Sequence, residues 1–160
     1  MAERTPLKSI SVTSEAETAA LAQKLAPFLR VQDILTLNGT LGAGKTAFAR
    51  ALIRALCGAD IEVPSPTFNL LLTYERAAAP VFHYDLYRLE DPEEVWELDI
   101  EEAFSSGITL IEWAENLQDL APQNVLEITM QIPNAAPEGM RLITFSGDKH
   151  WQQRLQTLEG

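Results

Sequence analysis

Residues Gly39, Thr40, Leu41, Gly42, Ala43, Gly44, Lys45 and Thr46 follow the spacing G-x-x-x-x-G-K-[ST]. The fixed positions of that run each have a task in phosphate chemistry. Glycines let the backbone turn where other residues clash, and they bring N–H groups close to an anion. A helix that begins there adds partial positive charge at the same point. Lysine reaches the β- and γ-phosphates as a point charge, and the threonine hydroxyl is a ligand for Mg²⁺. The run, extended to Ala47, therefore predicts a nucleoside triphosphate and Mg²⁺ as its ligands. Neither the N-K-x-D pattern that reads guanine nor the D-x-x-G of small GTPases occurs in the chain, which favours ATP. What the bound energy is used for is not written in the loop.

Hydrolysis needs two further groups, an acid to hold the metal and a group to orient water. Such an acid usually ends an apolar strand, and two positions fit. Glu112 closes Thr109-Leu110-Ile111-Glu112 and precedes Trp113; Asp85 closes Val81-Phe82-His83-Tyr84-Asp85. Each also has a plain structural reading, Glu112 as a solvated strand end and Asp85 as a partner of Arg88 or the cap of a turn. Strand alternation sends His83, Asp85 and Tyr87 to one side and Tyr84, Leu86 and Arg88 to the other. His83 is expected to be structural rather than a base. Trp113 either packs in the core or flanks the nucleotide. Ser65-Pro66-Thr67 is either a switch-like contact to metal or phosphate or an ordinary strand entry. Cys57 is expected to be inert core.

The elements that must hold these residues read as follows. A strand over 8–12 precedes a helix capped by Ser14, with Glu17 three residues on, running to about Phe28. A strand over 33–38 feeds the glycine loop, and a helix over 47–56 leaves it and stops near Gly58. Strands over 67–75 and 81–86 flank the turn ERAAAP and are expected to pair antiparallel. Asp91-Pro92-Glu93-Glu94 is a helix start. Strands over 108–113, 125–132 and 141–145 follow, and Asp148 caps a last helix with Trp151, Leu155 and Leu158 on one face. Helix and strand alternate early and strands crowd later. The expected fold is α/β: a P-loop NTPase-like three-layer arrangement with a mixed, partly parallel sheet.

A length of 160 residues suits a single domain over 1–160, with 46% apolar and 22% charged residues. One cysteine excludes an intramolecular disulfide and suits a reducing compartment. The N-terminal MAERTPLKSISV lacks a signal-peptide core, and no apolar run approaches the ~20 residues of a membrane span, so a cytoplasmic chain with no membrane partner is expected. The formal charge of −11 argues against a direct grip on nucleic acid. Residues 85–119 hold 12 acids and one base, so the remainder, with 11 of each, is neutral. That segment is either a set of solvated faces or a docking surface for a basic partner.

The blocks LNGTLGAGKTAFAR, SPTFNLLLTYE, HYDLYRLEDPEE and LIEWAENL, in this order over half the chain, resemble the TsaE family of bacterial ATPases, formerly YjeE. The resemblance implies a role in making the threonylcarbamoyladenosine of tRNA. The transfer chemistry would belong to a TsaB–TsaD pair that this ATPase binds, and tRNA would be met mainly through that complex. It implies that Lys45 holds the phosphates, Thr46 and Glu112 the Mg²⁺, that Asp85 orients or activates water, and that Trp113 flanks the site. Two positions depart from the family pattern: Thr40 stands where an acid is usual, and Asp99 where glycine is usual. No motif marks the adenine site; the stretch from Thr13 to Glu15 is the candidate. Two other classes share the loop. One is a small-molecule kinase, which the eight scattered arginines do not favour, and the other is a nucleotide-gated interaction module in which hydrolysis is incidental.

Overall fold

Seven strands form one sheet in the order β1-β7-β6-β2-β5-β4-β3. They are β1 (Thr5–Val12), β2 (Ile34–Gly39), β3 (Leu71–Tyr74), β4 (Val81–Asp85), β5 (Ile108–Glu112), β6 (Leu126–Gln131) and β7 (Arg141–Gly147). The structure is a computed structural model and describes residues 4–40, 42–66, 68–75 and 79–158. β6, β2, β5 and β4 run parallel to one another. β1 with β7, β7 with β6, and β3 with β4 pair antiparallel toward the two edges. The expected mixed sheet is therefore present, and so is the expected antiparallel pair β3–β4. β4 and β5 are buried along their whole length, as parallel strands covered on both faces must be.

Alternation along these strands sorts the core into two clusters. Leu35, Leu37, Val81, Ile108 and Leu110 pack under helices α1 (Glu15–Leu25), α2 (Lys45–Cys57) and α4 (Lys149–Arg154). Ile34, Phe82, Tyr84 and Ile111 pack on the other face, under α3 (Ile100–Ser106) and the 3-10 stretches Pro92–Leu98 and Ala114–Leu120. The same alternation turns His83, Asp85 and Glu112 toward the face that carries α2. Cys57 is partly buried against the first cluster.

Local chemistry explains most element ends. The Ser14 hydroxyl accepts from Glu17 N at 3.1 Å, as expected of a capping residue. The Glu17 carboxylate reaches past the cap and takes both the N–H and the hydroxyl of Thr13. α1 ends at Leu25, three residues short of the expected end, because Pro27 has no N–H to continue the ladder and 26–28 tighten into a 3-10 turn. Asp148 caps α4 through Trp151 N at 3.2 Å, and Trp151, Leu155 and Leu158 are all buried as their spacing requires. Arg154 of α4 reaches back to the buried Asp33 carboxylate at 2.6 Å and so ties the last helix to the start of β2.

Two further stretches differ from expectation. β3 begins at Leu71 rather than at 67, because Leu70 N turns back to Pro66 O at 2.7 Å with Leu70 at φ 63°. Thr67 and part of the turn ERAAAP lie outside the described residues. The helix begun by Asp91 is a 3-10 stretch over Pro92–Leu98, capped through Glu93 N as predicted. It breaks at Asp99, whose φ of 56° is left-handed, before α3 starts. So the backbone at Asp99 keeps the conformation that a glycine adopts freely, although an aspartate stands there. Among the described residues no helix is long and apolar enough to cross a membrane.

Candidate active site

β2 delivers the glycine loop to the N-terminus of α2. Gly39 closes the strand at φ 145°, and a Cβ there would stand 2.5 Å from Met130 O of the neighbouring strand, so only glycine fits. Gly44 caps α2 from the left-handed region, φ 106°. The helix begins at Lys45, two residues earlier than the sequence suggests, so Lys45 and Thr46 both lie in its first turn, where the helix dipole favours anions. Arg141 of β7 holds the loop from outside: its Nε donates to Ala43 O at 3.1 Å and its Nη2 to Gly42 O at 3.4 Å.

β4 and β5 deliver the acids. Asp85 and Glu112 are register partners at the ends of adjacent parallel strands. The turns that follow are laced together: Leu86 N donates to Glu112 O at 3.0 Å, and the Asn116 amide donates to Leu86 O at 2.7 Å. Glu112 is 2% exposed, and its two oxygens are divided. Oε2 accepts from His83 Nε2 at 2.7 Å, and Oε1 accepts from the Thr46 hydroxyl at 3.3 Å. Asp85 Oδ1 accepts from Tyr87 N at 3.1 Å, so this carboxylate caps a turn and also faces the loop. The Arg88 guanidinium stands 4.7 Å from the centre of the exposed Phe68 ring.

Lys45 donates to Gly39 O at 2.8 Å, and its ammonium sits 3.7 Å from the centre of the Trp113 ring. Burial pushes this ammonium below its ordinary value, while Glu112, Glu115 and Asp85 pull it back up. Trp113 takes a left-handed backbone, φ 62°, and its ring lies over the Lys45 ammonium; Tyr87 packs against it at a tilt of 52°, with ring centres 4.9 Å apart. Gly42, Gly44, Lys45, Thr46, Ala47, Asp85, Tyr87, Glu112 and Trp113 enclose one open cleft of about 390 Å³.

A second cleft, about 260 Å³, adjoins it across Gly42, Gly44 and Ala47 and is walled by Ser14, Glu15, Thr18, Ala43 and Arg141. Gly39 and Thr40 line neither cleft; Gly39 O accepts from the Lys45 ammonium and Thr40 O from Ala43 N. Leu41 lies outside the described residues. Tyr87, Asn116 and Arg141 are the site residues that sequence reasoning missed. Alternation along β4 had placed Tyr87 on the right side, but nothing local marks Arg141, 98 residues from the carbonyl it holds.

The donor set suits magnesium. Thr46 and Glu112 present hard oxygens 3.3 Å apart at a helix N-terminus. Among the described residues no three His, Cys, Asp or Glu side chains gather to enclose an ion. Two protein oxygens completed by phosphate and water is the arrangement Mg²⁺ takes with nucleotides.

A glycine loop between a parallel strand and a helix, with a strand-end acid against its threonine, is the architecture of P-loop NTPase-like α/β proteins. The family described as threonylcarbamoyl adenosine biosynthesis protein TsaE matches residues 12–140. The chain is 42% identical over 137 residues to a TsaE of Rickettsia felis, covering 86% of this chain and 80% of that protein. It is 39% identical to a TsaE of Bacillus subtilis over 131 residues, 81% of this chain and 79% of the relative. The crystal structure of Bacillus YdiB superposes with a TM-score of 0.76 at 26% identity, over 99% of this chain and 97% of that one. The chain belongs to the TsaE family.

Proposed function

We propose that this protein is a Mg²⁺-dependent ATPase of tRNA threonylcarbamoyladenosine biosynthesis that works with a TsaB–TsaD pair. The observation that carries the reading is the convergence of Lys45, Thr46, Asp85 and Glu112 on one cleft at the start of α2. The triphosphate lies against the loop N–H groups and the helix N-terminus, and the adjoining cleft takes the nucleoside. Its wall at Ser14 and Glu15 overlaps the stretch expected to meet adenine. Lys45 exchanges Gly39 O and the Trp113 face for the phosphate oxygens. Thr46 and Glu112 would hold the magnesium ion, which would supply neutralisation of the triphosphate charge. Asp85 lies at the same strand level as Glu112 and orients the attacking water. Trp113 and Tyr87 cover the cleft and exclude bulk water. With a net charge of −11, contact with tRNA runs through the complex.

Phosphate release from Mg-ATP, measured with the purified chain alone and then with TsaB and TsaD, tests this. A slow basal rate raised by the pair is the expected result. A rate indifferent to both partners removes the coupling, and no release at all removes the ATPase.

A further inference from the structure

The acidic segment carries a feature that the nucleotide chemistry does not use. Between the 3-10 stretch Pro92–Leu98, α3 and the stretch Ala114–Leu120 runs an apolar trough of about 360 Å³. Val95, Ile100 and Leu117 form its buried floor, and Phe104 and Leu120 its half-buried walls. Trp96 stands on its edge, 52% exposed. A large indole left half in water is the kind of residue that anchors protein interfaces.

The charge around the trough says what fits it. Glu97 follows Trp96, Glu101 lines the trough itself, Glu102 follows it, and Asp119 precedes Leu120; all four are exposed. Arg88 is the only base among 12 acids from 85 to 119. Nucleic acid and anionic lipid carry the same sign and are repelled. A second copy meeting this face through a two-fold axis would set acids against acids. We propose that the trough docks a partner-protein segment whose buried face is aliphatic and whose flanks are Lys and Arg, in the manner of a cationic amphipathic helix.

The position of the trough gives that docking a consequence. The stretch that supplies Leu117 and Leu120 begins directly after Trp113, whose ring covers the Lys45 ammonium. Asn116 in the same stretch is bonded to the backbone that follows Asp85. An occupant therefore presses on the element that holds the lid of the nucleotide cleft. This assignment rests on the proposed partner-coupled function and names the surface through which a partner acts.

The test uses the full chain and two variants remote from the nucleotide, Trp96→Glu and the double charge reversal Glu97→Lys with Glu101→Lys. Affinity for purified TsaB–TsaD is measured at low and high salt, with ATP affinity of the chain alone as the control for folding. Trp96→Glu is expected to weaken pair binding roughly thirtyfold. The charge reversal is expected to weaken it about tenfold and flatten its salt dependence. Undiminished binding by both variants, with the wild type binding well, overturns the trough and leaves the partnered function standing. If the wild type itself does not bind the pair, the partnered function fails.

The trough is then judged with a synthetic Leu/Lys amphipathic peptide, followed by the NMR signal of the Trp96 indole. A saturable shift that a Leu/Glu peptide does not produce supports the trough, and no shift overturns it. Self-association that Trp96→Glu abolishes would identify a second copy as the occupant and overturn the basic partner.

Discussion

The two ends of this molecule's chemistry turn their backbones by different means. Among the described residues of the glycine loop the left-handed conformations fall on Gly39, Gly42 and Gly44. In the acidic segment they fall on Asp99, Trp113 and Gln118. A left-handed residue with a side chain costs on the order of 1–2 kcal/mol, and a glycine avoids that cost. The loop side continues into a regular helix of 13 residues, whereas the acidic side, apart from β5, is built of 3-10 stretches and one short helix. The loop's turns are set by its own glycines, with Arg141 bracing two of its carbonyls from outside. The acidic side is held in shape by what it packs against, through Val95, Ile100 and Leu117. Such a surface is conformationally less independent and is suited to respond to a partner, while the loop side presents the same cradle throughout.

The comparison is broken most severely on the loop side. Lys45→Ala removes the charge that the proposed function sets against the phosphates, and kcat/KM for ATP hydrolysis is expected to fall on the order of 1,000-fold. Calorimetry should show ATP affinity falling with it. Unchanged affinity would mean that the loop holds nucleotide without its lysine. Glu112→Gln keeps the shape and loses the charge. Hydrolysis is expected to fall on the order of 100-fold, with the Mg²⁺ midpoint displaced upward. An unaltered rate and midpoint would take Glu112 out of the metal site.

His83 sharpens the comparison, because it joins the loop side to the strands that lead into the acidic segment. Its ring occupies one Glu112 oxygen and leaves the other facing Thr46. His83→Ala is expected to raise the Mg²⁺ midpoint about tenfold through loss of that hold. His83→Asn, which keeps a donor, should recover part of the loss. A midpoint that stays put while only the melting temperature drops would make the histidine a packing residue alone.

Sequence and structure agree most closely where determinants are local. The loop, its strand and helix, the caps at Ser14, Asp91 and Asp148, and the strand-end acids were all legible, because each is written within a few residues. Alternation alone put His83, Asp85 and Tyr87 on one side, and the cleft confirms that placement for Asp85 and Tyr87. The 3-10 character of 92–98 and the whole stretch 114–120 were not legible. Their conformation answers to burial of Val95 and Leu117 rather than to any helical period. Arg141 was out of reach for a related reason: its bond to the loop joins residues 98 apart, and only the β7–β6–β2 order brings them together.

The smallest effect tests the strain argument itself. Asp99 holds φ 56° and ψ 31° and makes no side-chain cap to α3, so no capping bond offsets the left-handed backbone. Aspartate tolerates that region better than most residues, so its own cost is modest. Alanine there has a Cβ and no compensating polarity, while glycine has neither the clash nor the side chain. Asp99→Gly is therefore expected to unfold with a free energy about 1 kcal/mol above that of Asp99→Ala, with the wild type between them. For a chain of this size that separates the two variants by about 2–4 °C in melting temperature. Either variant also removes one acid beside Glu101 and Glu102, so the charge change is common to both and cancels in the comparison. Equal melting of the two variants would show that the acidic side carries no backbone cost at this residue. The contrast with the glycine loop would then rest on Trp113 and Gln118 alone.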